Sequence, residues 1–107
     1  MAKYLMIESR DPLEGAAVGD FADLARDLAA AGDEVTYFLV QNGVFAARKG
    51  FQGSRVGALG KAAVLADDFS LRQRGIGDGE VAAGVRPSGI GVLVDLLAEP
   101  GVRAMWH

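Results

Sequence analysis

Apolar residues in this chain gather into short uninterrupted runs, and the stretches between those runs alternate between helical spacing and glycine-rich, unpatterned segments. Residues 3–8 (KYLMIE) form a run that closes on a polar side chain, the pattern of a strand covered on both faces in a parallel sheet. Asp11-Pro12-Leu13-Glu14 then predicts a helix start. Asp11 can cap the first free N–H groups, Pro12 suits the first helical position, and Glu14 completes a capping box. Phe21, Leu24, Ala25 and Leu28 recur at helical spacing, with Asp20, Asp23, Arg26 and Asp27 on the other faces, until Gly32 ends the helix.

Residues 34–40 (EVTYFLV) are β-branched and aromatic, which predicts a second buried strand stopping at the turn Gln41-Asn42-Gly43. A short helix fits residues 44–49. Residues 51–60 carry three glycines and no period, the composition of a mobile loop. Residues 61–66 (KAAVLA) predict a third strand ending at Asp67 and Asp68, followed by a short helix over about residues 69–74 that Gly75 closes. The glycine-rich stretch 76–86 offers only a weak strand signal at residues 80–83. Pro87-Ser88-Gly89 is expected to open a last helix with Ile90, Leu93, Val94 and Leu97 on one face, ended by Pro100-Gly101. Residues 102–106 predict a final strand. Strands alternating with helices over one 107-residue unit imply a single α/β domain with a mostly parallel sheet and helices on both faces.

Composition narrows the function classes. The chain has no cysteine, which removes disulfides, thiolate nucleophiles and thiolate-held metals together. A single His, at position 107, makes a His-based metal site or a Ser-His-Asp arrangement inside one chain improbable, despite hydroxyls at Ser9, Ser54, Ser70 and Ser88. The remaining metal option is an oxygen-ligated divalent cation, and the sequence assigns no metal and no cofactor. The net charge of -3 and scattered Lys and Arg residues argue against nucleic acid. No stretch of about 18 apolar residues exists to cross a membrane, and a cytoplasmic location is expected.

In open parallel sheets ligands bind at the carboxyl ends of strands, a rule that selects residues 8–15, 41–44 and 67–74. Asp67 and Asp68 form the most notable pair, able in principle to hold a cation or act as a base. The plainer expectation is that one of them caps the following helix. Arg72 and Arg74 could bind an anion or a partner's carboxylate, or could simply complement a helix C-terminus. The run Gly75-Ile76-Gly77-Asp78-Gly79 does not match a dinucleotide loop. Asp11 and Glu14 should repel a phosphate at the first helix. His107 is expected to be frayed, and strand alternation allows only one of Met105 and Trp106 to face inward.

Several ordered segments carry a resemblance. Ala-Gly-Asp-Glu-Val (31–35) is followed by Phe-Leu-Val-Gln-Asn-Gly-Val-Phe-Ala-Ala (38–47). Leu65-Ala66-Asp67-Asp68 leads to Gln73-Arg74-Gly75-Ile76, and Gly91-Val92-Leu93-Val94-Asp95-Leu96 leads to Trp106. In order and spacing these segments resemble the DsrE/DsrF/DsrH family of sulfur-relay proteins, and most closely its DsrH/TusB branch. The resemblance implies a three-layer α/β/α, flavodoxin-like domain of about five strands. It also implies subunits that form dimers, trimers or hexamers, alone or with a cysteine-bearing DsrE-like paralogue. In the DsrE/TusD branch a cysteine at the end of the third strand carries sulfur as a persulfide. Counting back from Arg74-Gly75, the matching position here is Asp67, and a carboxylate cannot perform that exchange. The expectation is therefore a non-catalytic assembly or docking subunit, with Asn42, Gly43, Asp67, Asp68, Arg72 and Arg74 as candidate ligand- or partner-binding residues. The alternative is a small-ligand or metal-binding protein, or an enzyme, using the pocket around Asp67.

Overall fold

The computed structural model describes residues 1–51 and 54–107. Five strands, β1 (Lys3–Glu8), β2 (Glu34–Leu39), β3 (Ala63–Asp67), β4 (Val85–Ser88) and β5 (Val102–Trp106), form one parallel sheet in the order β4-β3-β2-β1-β5. Three α-helices pack on it: α1 (Ala16–Ala30), α2 (Asp68–Gln73) and α3 (Ile90–Ala98). The result is the three-layer, flavodoxin-like α/β arrangement.

The unbroken apolar runs follow from burial on both faces. Met6, Tyr37, Leu39, Val64 and Ala66 point to one side, where they meet Ala22, Ala25 and Ala29 of α1 and Leu71 of α2. Leu5, Ile7, Phe38, Val40 and Leu65 point to the other, where Leu93 and the half-buried Leu96 of α3 meet them. The alanine stripe on α1 keeps its backbone close to the sheet. The two layers are unequal. One helix about 10–12 Å across cannot cover five strands spaced about 4.8 Å apart, a width of about 19 Å, so part of the α3 side stays open.

Several expectations need correction. The first helix begins at Ala16 with Gly15 as its cap, and no acidic residue lies in its first turn. Asp11 instead closes a tight turn, its carboxylate accepting from the Leu13 N–H at 2.8 Å and its carbonyl from the Glu14 N–H at 2.9 Å. A local side chain–backbone bond of this kind competes directly with helix initiation. The turn at Gln41 and the short helix after it are one 3₁₀ segment, Gln41–Ala47, entered through Gln41 at φ 51°. The proposed loop over 51–60 contains a 3₁₀ turn, Val56–Ala58, with Val56 and Leu59 buried, while positions 52 and 53 lie outside the described residues. The weak strand at 80–83 reduces to one antiparallel bridge between Val81 and Arg48. The true fourth strand is Val85–Ser88, which absorbs the Pro87 expected to open a helix. An edge strand tolerates the missing N–H, and β4 is an edge. On α3 the inward residues are Leu93 and Leu96, not the stripe Ile90, Leu93, Val94 and Leu97, of which three members are exposed. Among the described residues no helix is long and apolar enough to cross a membrane.

Candidate functional site

The carboxyl ends of β2, β3 and β5 open into a cleft of about 570 Å³ on the thinly covered side of the sheet. Its floor and polar wall come from Val40, Gln41, Asp67, Asp68, Ser70 and Arg72. Phe69, Ile90, Leu93 and Trp106 form the apolar wall. This volume lies in the range of ordinary ligand clefts.

Asp67 is the N-cap of α2, as the plainer expectation held. Its Oδ2 accepts from the Ser70 N–H at 3.1 Å and from the Ser70 hydroxyl at 2.6 Å. The same hydroxyl oxygen accepts from the Gln41 N–H at 2.9 Å. Backbone from β2, a hydroxyl from α2 and a carboxylate from β3 are thereby joined in one chain of hydrogen bonds, which holds the unusual backbone at Gln41 in place. Asp67 is buried, and its other oxygen, Oδ1, has no hydrogen-bond partner among the described residues. Asp68 sits in the first turn and reaches Arg72 one turn later at 3.7 Å, an exposed pair of small energetic weight.

The structure separates the six candidate residues. Asp67, Asp68 and Arg72 line the cleft; Asn42, Gly43 and Arg74 do not. The Arg74 guanidinium donates twice to Asn42 Oδ1, at 3.1 and 3.0 Å, and once to the Ser70 carbonyl at 3.2 Å, and it lies over the Phe45 ring. These contacts bind the 3₁₀ segment to α2 beside the cleft. Gly43 permits a close approach of backbones, since a Cβ there would press into the Glu8 carbonyl, with its carbon only 3.0 Å away. Among the described residues no group of three or more Asp, Glu or His side chains could hold a metal ion.

Two features were missed. Trp106 points to the cleft and is 64% exposed, while Met105 packs partly against the α1 side. Strand alternation allowed that split, but only the strand order reveals that Trp106 reaches the cleft that Asp67 lines. His107 is not frayed. Its N–H donates to the Ile7 carbonyl, its carbonyl accepts from both the N–H and the hydroxyl of Ser9, and its ring stacks on Phe21 with centroids 5.1 Å apart. Its Nδ1 lies 2.8 and 2.9 Å from the two carboxylate oxygens of Glu8, a residue 1% exposed. Glu8 and Tyr37 line a second, smaller cavity of about 120 Å³ at the start of α1, together with Gly15 and Arg55. Burial, and then the Glu8 charge, push the Tyr37 phenol well above its ordinary value. The carboxylate that faces the start of α1 is thus Glu8, not Asp11 or Glu14, and the electrostatic objection to a phosphate there transfers to it.

The same fold is found in solved structures. The chain matches the ychN protein from E. coli with a TM-score of 0.80 at 18% identity, over 98% of this chain and all of that one. It matches MTH1491, a protein of unknown function from Methanobacterium thermoautotrophicum, with a TM-score of 0.77 at 19% identity over the whole of both chains. At such identities the likeness establishes the architecture. No protein-family model matches the sequence, and no curated protein is significantly similar to it.

Proposed function

We propose that this chain is a cysteine-less, non-catalytic subunit of the DsrE/DsrF/DsrH sulfur-relay type, nearest the DsrH/TusB branch, and that it works by assembly through the outer face of α3. The observation that carries the reading is that helix. Ile90, Val94 and Leu97 are about half exposed, Val92 is exposed beside them, and Asp95 is the one charge in Ile90–Ala98. A helix apolar on every side belongs inside a larger core. A second copy of the chain is the occupant that suits it: the patch has almost no charge, so it can meet itself about a two-fold axis without like-charge conflict. The order of motifs quoted above supports the family reading. Asp67 at the end of β3 supports the absence of sulfur carriage, because a carboxylate stands where the resemblance places the carrier thiol.

Light scattering at micromolar concentration tests the assembly. The expected mass is a multiple of 11.2 kDa, and Leu97→Glu should return it to the monomer while circular dichroism stays native. A wild-type chain that remains monomeric at every concentration would refute the reading.

A further inference from the structure

The cleft beside Asp67 has a chemistry of its own, and it meets the outer face of α3 at Ile90. We infer that it is a binding site for an organic cation, an ammonium or guanidinium group carried on an apolar stem, with Asp67 as counter-ion and Trp106 and Phe69 as aromatic walls.

The argument begins with the unused carboxylate oxygen. Asp67 is 6% exposed, and capping of α2 engages Oδ2 alone. Oδ1 is buried without a donor, in a residue that lines the cleft. A buried carboxylate oxygen favours a donor, and a charged donor most of all, since charge-assisted hydrogen bonds are roughly twice as strong as neutral ones. Nearby charges do not satisfy it. Arg72 on the cleft wall is paired with Asp68, and Arg74 is turned away to Asn42 and the Ser70 carbonyl. The balance of Asp67, Asp68 and Arg72 leaves the cleft with one net negative charge.

The rest of the lining selects the kind of cation. A hard metal ion needs several oxygen ligands in fixed geometry, and the described residues offer no such set. The opposite wall is instead Phe69, Ile90, Leu93 and Trp106. Phe69 and Trp106 are more than half exposed; Phe69, two residues beyond Asp67, is the aromatic neighbour of a cation held there, while Trp106, across the cleft on β5, joins Ile90 and Leu93 as a wall for the alkyl stem. A free amine or guanidine and a Lys or Arg side chain of another protein share this chemistry.

Trp106 is the single tryptophan of the chain, and it reports directly on the cleft. Three probes are titrated against the wild-type protein while its fluorescence is followed: butylguanidinium, its neutral isostere butylurea, and the peptide acetyl-Gly-Arg-Gly-amide. Butylguanidinium should give a saturable change with millimolar affinity, weakened by added salt, and butylurea none. Asp67→Asn, which keeps a capping oxygen for Ser70 but loses the charge, should weaken butylguanidinium at least tenfold with an unchanged melting curve. Peptide binding alongside butylguanidinium identifies a protein side chain as an admissible source; binding of butylguanidinium alone restricts the site to small molecules. Equal response to butylurea, undiminished binding in the Asn variant, or no saturation by butylguanidinium overturns the inference. Light scattering on the same samples reports assembly separately, so the failure of either proposal is visible without the other.

Discussion

Replacing His107 by alanine removes the ring that caps the Glu8 carboxylate and leaves the backbone bonds of residue 107 to Ile7 and Ser9 in place. Glu8 is 1% exposed, and its remaining donor among the described residues is the Arg10 N–H at 3.2 Å. A hydrogen bond to a charged group contributes about 1.5–3 kcal/mol net, and an aromatic pair such as His107 on Phe21 about 0.5–1.5 kcal/mol beyond its area. The His107 side chain is 21% exposed, so water can partly replace it once it is gone, and the lower half of the sum applies. The expected loss is therefore about 2–3 kcal/mol, or roughly 8–12 °C in melting temperature at about 4 °C per kcal/mol. Glu8→Gln keeps an acceptor for Nδ1 but removes the buried charge, and it should cost less. Because the two side chains share one interaction, their effects should not add, and a double-mutant cycle should return a coupling of about 1 kcal/mol or more. Urea unfolding of the four proteins measures all of this. A His107→Ala loss below about 0.5 kcal/mol, or strictly additive single effects, would show that the pair is an accident of proximity.

Gly43→Ala should destabilise by about 3 kcal/mol, because the new methyl meets the Glu8 carbonyl rather than a side chain that can move away; a melt within error of wild type would contradict the close approach. Asp67→Ala should cost about 0.5–2 kcal/mol as a lost cap, with Asp67→Asn nearer wild type, and thermal melts of the two variants separate cap from charge. Tyr37 gives an alkaline signature. Its phenol is raised in the folded state, so the stability it contributes is complete below the ordinary value of 10.0 and drains away as pH rises beyond it, at up to about 1.4 kcal/mol per pH unit. Lys3, raised by its hydrogen bonds to Glu99 and then Glu34, acts in the same direction from an exposed, solvent-screened position, so the slope that disappears in Tyr37→Phe isolates the phenol; parallel curves for the two proteins above pH 10 would refute it. Incubation with a persulfide donor should leave the intact mass unchanged, since the sulfur atoms are the thioethers of Met1, Met6 and Met105, and a persistent gain of one sulfur atom would count against it.

The strands β1, β2 and β3 were legible in sequence because burial on both faces writes an unbroken apolar run, the half-covered edge strand β5 because Pro100-Gly101 sets it off from the helix before it, and the cap at Asp67 because its donor lies three residues away. Signals that depend on partners remote in sequence were not. Pro87 reads locally as a helix opener, and only its place at the sheet edge turns it into a strand residue. Asp11 and Glu14 have the spacing of a capping box, yet the Asp11 carboxylate is spent on Leu13, a choice that local pattern cannot decide. On α3, apolar residues on every side erase the periodicity that would say which face is inward, so the inner pair Leu93 and Leu96 was mixed with an outer set. The main cleft and the Glu8–His107 pair are products of strand order: Trp106 closes the far side of the cleft that Asp67 lines, and His107 lies beside Glu8, because β5 docks on β1 at the far edge from β4.

That docking also sets a timetable for folding. Within the sheet β1 is synthesised before the other strands, and of its two neighbours one, β2, follows directly while the other, β5, comes last. Lys3 pairs with Val102 and Ile7 with Trp106, contacts of nearly maximal sequence separation in a chain of 107 residues. Contacts this distant slow folding, because the loop must close before they return any stabilisation. A nascent chain halted before residue 102 would hold β1 at an open sheet edge, a row of unpaired backbone groups of the kind that recruits foreign strands, with the Glu8 carboxylate lacking its imidazole. The ribosome therefore has to release residues 3–106 before β1 is paired on both of its edges.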